Sequence, residues 1–247
     1  MGKLDKRDPW LALSGLTAAR IALGRAGGSV RTETLLDFRL AHARAKDAVE
    51  LPFAADALAV KLQAMGIETF RLETEAGDRR SFLLRPDLGR TLRESSRSEL
   101  SQQRALWGKR DLCIVVSDGL SALAAERQVA PLLSALLPAL LGGGTTLYPV
   151  FLAPFARVKL ADEIGEALGA RHSLMLLGER PGLSSPDSLG AYLTFRPRAA
   201  CSDADRNCVS NIRPEGLPCA DAAHSIAELL AESARLGTSG VALKLQG

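Results

Sequence analysis

The sequence predicts an α/β protein. A mostly helical N-terminal region with a small hairpin spans residues 1–110, and a doubly wound, mainly parallel sheet spans residues 111–247. Three observations carry that reading. After Asp111, short apolar runs rich in β-branched residues alternate with helical stretches, as parallel strands joined by crossover helices do. Before it, apolar residues recur at three-to-four spacing. Finally, three polar turns ("SDGLS", "APFARVK" and "GERPGLSSPDSLG") follow apolar runs, and open α/β sheets bind ligands outside the carboxyl ends of their strands.

Taken in order, "LTAARIALGRAGG" and "RTETLLDFRLAHARAKDAVELP" read as helices closed by Gly or Pro, and "ALAVKLQAMG" as a helix stopped at Gly66. "ETFRLETEA" and "RRSFLLRP" read as a hairpin turning at Gly77-Asp78. "RPDLGRTL" starts a further helix, and "RESSRSELSQQRALWGKR" is a solvated helix leading to the connector. Then come the strand "LCIVVS", a helix, the strand "TTLYPVFLA", the helix "KLADEIGEALG" and the strand "HSLMLLG". The strand "AYLTF", the helix "ADAAHSIAELLAESARLG" and a closing apolar run, "VALKL", complete the pattern. Residues 129–156 carry no charge, a length that could span a bilayer. Four prolines and three consecutive glycines interrupt them, so a buried helix followed by a buried strand is expected, with no membrane association.

Composition narrows the function. A net charge of +3 is too balanced to argue for nucleic acid, and 4% aromatic residues give no base-stacking platform. The cysteines, Cys113, Cys201, Cys208 and Cys219, form no C-x-x-C pair and follow no secretory signal, so free thiols in a reducing compartment are expected. There is no G-x-x-x-x-G-K-[ST], no G-x-G-x-x-G after a strand and no G-x-S-x-G. "GGG" at 142–144 reads as a helix cap. His42, His172 and His224 lie far apart, without ligand spacing, and are expected in surface or structural roles.

What remains is a set of polar turns. Glu179 follows "LMLLG", where a carboxylate meets solvent or a ligand, with pairing to Arg180 as the alternative. Arg157-Val158-Lys159 is either a helix-start charge cluster or a ligand rim. "DADRNCVSNIRPEG" packs Asp205, Arg206, Asn207, Cys208, Asn211 and Arg213 into nine positions, which suggests a polar ligand or a subunit interface. Cys208 alone reads as a small hydrophobe, with no adjacent base to make it a nucleophile. These residues describe a binding module and show no reaction by themselves.

The blocks "GERPGLSSPDSLGAYLTFRPR", "DADRNCVSNIRPEGL", "AAHSIAELL", "AARIALGRAGG", "LLDFRLAHARAKDAV", "LLRPDLGRTL", "IVVSDGLSA" and "RVKLADEIGEALGAR" together resemble the small (light) subunit family of ethanolamine ammonia-lyase, over nearly the whole chain. The resemblance implies a Rossmann-like cobalamin-binding domain in residues 111–247 and a radical enzyme that converts ethanolamine to acetaldehyde and ammonia with adenosylcobalamin. It also implies a large-subunit partner that carries the substrate site, with cobalamin held at the interface in a hetero-oligomer. Carried over by motif, the cofactor-binding residues are Val158 of "ARVKL", Glu179 of "GERPG" and Cys208 of "DRNCVSN". No histidine falls in a D-x-H-x-x-G pattern, so cobalamin is expected base-on, keeping its own dimethylbenzimidazole on cobalt. Microcompartment-linked members can carry a longer N-terminal extension. Here the helical region is expected to start within about ten residues, which favours a cytoplasmic setting, with a bacterial microcompartment as the alternative. Two other readings stand beside this one: a non-catalytic corrinoid carrier, and a thiol enzyme built on Cys208 that would need a nearby histidine such as His224.

Overall fold

The structure, a computed structural model, describes residues 9–244 apart from Ala18 and Gly27; the expected start of the helical region before Pro9 lies outside them. A 3-10 segment at Pro9–Leu16 leads into an extended stretch and a small ribbon, β1 (Arg25–Ala26) against β2 (Ser29–Val30). The helix expected over 16–28 therefore does not form. Ala22 and Gly24 both take positive φ there, and Gly28 lies in the turn of the ribbon instead. Helices α1 (Thr32–Glu50) and α2 (Ala55–Ala64) follow as expected, and Gly66, at φ +77°, ends the second.

After β3 (Thr69–Arg71) the predicted second hairpin strand is the short helix α3 (Arg79–Leu84). The cause is local: the Asp78 carboxylate accepts from the Ser81 N–H at 2.9 Å and the Ser81 hydroxyl at 2.8 Å, an N-cap that starts a helix where a turn was expected. The "LGR" turn is 3-10, and α4 (Glu94–Trp107) is the expected solvated helix.

The remaining elements are β4 (Leu112–Ser117), α5 (Ala122–Gly142), β5 (Val150–Leu152), α6 (Leu160–Leu168) and β6 (His172–Gly178). Then come β7 (Leu189–Phe195), β8 (Arg206–Ile212), α7 (Cys219–Leu236) and α8 (Val241–Lys244). The sheet order is β3-β5-β4-β6-β7-β8. The first four are parallel; β7 and β8 run antiparallel to their neighbours. The polar "DRNCVSNI" is thus an edge strand. Of the closing apolar run, Val241–Lys244 form a helical turn; just before it, Gly240 sits so close to the backbone of Ala204 that a Cβ there would meet its carbonyl at 1.9 Å.

Two apolar layers sandwich the sheet. On one face α5 and α7 pack against Ile114, Leu152, Leu174 and Leu193; on the other α6 and α4 pack against Val115, Phe151 and Met175. α5 buries Leu132, Leu133, Leu136, Leu137 and Leu140, while Pro131 and Pro138 lie on its exposed side, so their missing N–H groups open toward water. Arg206 of β8 pairs with Asp162 of α6 beneath the sheet, both side chains nearly fully buried, and fastens the antiparallel edge to the parallel core.

His172 begins β6, buried, with Nε2 3.1 Å from the Ser233 hydroxyl of α7 and its ring edge-on to Phe195. Burial, helped by Arg171, pushes its pKa down to about 4. Between that value and its ordinary 6.5 the unfolded chain binds a proton that the folded chain refuses, so His172 makes stability fall as pH drops through this window. Replacing it with Gln, which keeps a partner for Ser233, is expected to flatten that slope by up to about 3 kcal/mol across the window in urea unfolding. An unchanged slope would show that His172 titrates normally in the fold.

Candidate functional site

The loops that leave β4 and β5 diverge to opposite faces, toward α5 and α6, and open a crevice at the carboxyl edge of the sheet where ligands bind α/β proteins. Asp118, directly after β4, floors it. Its carboxylate accepts from the Phe155 N–H at 2.7 Å and the Ser117 hydroxyl at 3.0 Å, and pairs with Arg79 of α3 at 3.1 Å. Burial pushes the Asp118 pKa up, and the Phe155 N–H and Arg79 oppose it. Arg157 lies flat on Phe82, 4.0 Å from the ring centroid, and donates to the Phe82 carbonyl. Burial lowers the Arg79 and Arg157 pKa values. Arg79 Nε and Nη2 and Arg157 Nε are buried without a hydrogen-bond partner among the described residues, so donors beneath the crevice are left unsatisfied.

The two central loops touch through glycine. A Cβ on Gly119 would lie 2.4 Å from the Gly178 carbonyl, and one on Gly178 would lie 2.1 Å from that of Ser121. The Leu120 N–H donates to the Gly178 carbonyl at 2.9 Å across the contact. Beyond Gly178 the loop through Ser188 is tied down on both sides. Ser121 donates to the Pro186 carbonyl and Arg127 pairs with Asp187, while buried Arg213 reaches Ser184 and Asn211 from the end of β8.

Glu179 sits at the start of that loop. One of its carboxylate oxygens accepts from the Ser188 hydroxyl and from the Asn211 N–H, the latter at 3.3 Å, and Asn211 takes φ +60° to present it. Arg180 is not its partner; β8 is. Cys208 lies exposed in mid-strand on β8, in register with Tyr192 of β7. Burial first, then Cys208 and Glu179, push the Tyr192 pKa up. Val158, half-buried just before α6, packs on the same apolar layer as Tyr192. Glu179 and Cys208 therefore share one neighbour, Tyr192, while Val158 has only the apolar layer in common with it. Along β8, Cys208 is three residues from Asn211, the partner of Glu179, about 10 Å at ~3.3 Å per residue.

Sequence reasoning missed Arg79 and Tyr192. Arg79 was expected in a strand. Tyr192 was hidden within an apolar run, although alternation puts it on the face opposite Ala191 and Leu193. Of the other histidines, exposed His224 pairs with Glu228 at 3.1 Å, and His42 stacks on Phe38 in α1. None of the four cysteines is in a disulfide. Among the described residues no group of His, Cys, Asp and Glu is arranged to hold a metal ion, and no helix is long and apolar enough to cross a membrane.

Comparison with known proteins gives a consistent result. A family model described as ethanolamine ammonia-lyase light chain matches residues 7–244. A small subunit of ethanolamine ammonia-lyase from Azotobacter vinelandii is 53% identical over 238 residues, covering 96% of this chain and 88% of the relative. Proteins of the same description from Ralstonia nicotianae and Pseudomonas putida are 51% and 52% identical, with the same coverage of each chain.

The glycine contact can be tested directly. Gly178→Ala is expected to cost about 3 kcal/mol or more, because backbone carbonyls from the β4 loop block the new methyl group. Gly142→Ala, in open space at the end of α5, should be neutral or stabilising by up to about 1 kcal/mol. Equal denaturation midpoints for the two variants would refute a tight contact.

Proposed function

Because the chain belongs to the ethanolamine ammonia-lyase light-chain family, we propose that it holds adenosylcobalamin at its interface with the large subunit of that lyase, which converts ethanolamine to acetaldehyde and ammonia. The observation that carries the reading is the carboxyl-edge crevice, with its unsatisfied arginine donors and its fixed carboxylate. Cobalamin matches this chemistry: its rim of amides and its phosphodiester carry acceptors of the kind that the buried Arg79 and Arg157 donors lack, and its amide N–H groups suit Glu179. When bound, it supplies radical chemistry by homolysis of its cobalt–carbon bond.

This chain's residues bind and orient. Glu179, already held by Ser188 and Asn211, accepts hydrogen bonds without first being immobilised. Val158 gives an apolar flank, and Cys208 with Tyr192 extends the contact along the sheet. Substrate binding and turnover fall to the large subunit. Base-on binding is supported by the histidines: His172 and His224 line a cleft at the amino edge of the sheet, and His42 is on α1.

The division of the chain follows the same logic, with residues 111–247 as the main cofactor-binding part, to which Arg79 adds a donor, and the first elements of residues 1–110 as the partner-facing part. Trp10, Leu16, Leu36, Phe38 and Leu40 are all exposed in the first elements, a run of apolar surface that a large partner would cover. The proposed setting is the cytoplasm; recovery of the chain inside purified microcompartment shells would overturn that part.

Acetaldehyde release from ethanolamine should need this chain, its genome-neighbour large subunit and adenosylcobalamin together. Glu179→Ala in that complex should weaken cobalamin binding, read from the corrin absorbance, by about tenfold or more, the worth of a hydrogen bond to a charged group. Corrinoid binding without turnover beside an authentic large subunit would favour the carrier reading instead.

A further inference from the structure

The amino edge of the sheet, opposite the crevice, holds a separate cleft of about 990 Å³. Six cations line it, Lys109, Arg110, Arg171, Arg196, Arg198 and Arg235, against two carboxylates. Part of this charge has a structural use. Helices α6 and α7 both end here, and cations complement helix C-termini. Arg171 donates to the Ala234 carbonyl of α7, Arg110 to the carbonyls of Trp107 and Leu147, and Arg235 pairs with Glu232.

That use does not extend to Lys109, Arg196 and Arg198, which form no salt bridge among the described residues; of the three, Arg198 lies near enough to Asp205 to lower its pKa. The two carboxylates are turned to other groups. Asp111 accepts from Thr146 and Glu166 from the Ala199 N–H at 2.7 Å. The segment that carries Arg196 and Arg198 is also held in place. Pro197, between the two arginines, sits so close to Gly165 that a Cβ there would meet its ring at 2.4 Å. Arg196 takes φ +45°, rare for a long side chain, with its guanidinium 5.2 Å above the Phe195 ring and its N–H donated to the Arg171 carbonyl at 2.8 Å. Backbone strain kept at a cluster of surplus positive charge is a mark of ligand sites.

We propose that this cleft binds a multiply charged phosphate, either free polyphosphate or the phosphate tail of a nucleotide. Guanidinium groups present paired N–H donors that match phosphate oxygens. Here the cations arrive from four separate segments onto one concave volume, a shape that suits a compact anion better than an extended acidic protein surface.

Calorimetric titration of the full chain, assembled with its large subunit in about 0.15 M salt, tests this with sodium tripolyphosphate and metal-free ATP as separate probes. Saturable binding at one site per small subunit is expected. Arg196→Gln combined with Arg198→Gln should weaken it about tenfold or more, with the melting temperature unchanged, while Lys61→Gln on α2 leaves it intact. Lys109→Gln, on an exposed loop, gives the same reading should the double variant lose its fold. Equal affinities would assign the site to the phosphate chain itself, and tighter ATP binding to a nucleotide. No saturable binding by about 1 mM, binding indifferent to these variants, or capture of a polyglutamate peptide alone would overturn the proposal.

Discussion

The crevice depends on two glycines meeting where the central strands end. Gly119 and Gly178 bring the loops after β4 and β6 within backbone distance, closer than any side chain would permit. This contact fixes where Glu179 begins its loop and holds Asp118 against the Phe155 N–H on the other side. The arginines inherit their positions from it. Arg79 is anchored by Asp118 and by the Gly119 carbonyl at 2.6 Å, and Arg157 shares the face of Phe82 with Arg79. One pair of absent methyl groups therefore sets the geometry of several charged ones.

The site is held by the antiparallel half of the sheet as much as by the parallel half. Glu179 is bonded to β8, not to its own neighbour in sequence, and Arg213 clasps the loop to the same strand. β8 is fastened below by the buried Arg206–Asp162 pair. Leaving one member of such a pair alone in the interior is costly, so the pair works as a registration device for the edge strand. In a subunit whose proposed task is to hold a large cofactor still, rigidity of this kind is the relevant contribution.

Most of the α/β half was legible in the sequence, because burial on both faces makes "LCIVVS" and "HSLMLLG" apolar without alternation. The helices of residues 31–66 were legible from period and stop signals. Three elements were not. "RRSFLL" is made helical by an Asp78 cap that resembles a turn signal, the helical spacing after Leu16 is broken by positive φ at Ala22 and Gly24, and the helical turn at Val241–Lys244 is too short to leave a period in an apolar run. For the site, motif resemblance singled out Glu179, Val158 and Cys208, and the structure shows that the first and last meet at Tyr192. The unsatisfied donors of Arg79 and Arg157 could not be read from sequence, since burial without a partner is a property of the folded chain.

The prolines on the outer side of α5 have a consequence for the chain before it folds. During synthesis the uncharged residues 129–156 emerge with no core to receive them, and segments of that length are what membrane insertion selects. Within α5 the uncharged part runs only from Val129 to Gly142, about 21 Å of helix at ~1.5 Å per residue, short of the ~30 Å of bilayer hydrocarbon. Pro131 and Pro138 weaken even that helix while it stands alone, and the glycines after it stop its extension. The residues that face water in the folded subunit thus also keep the nascent chain from being sorted as a membrane anchor.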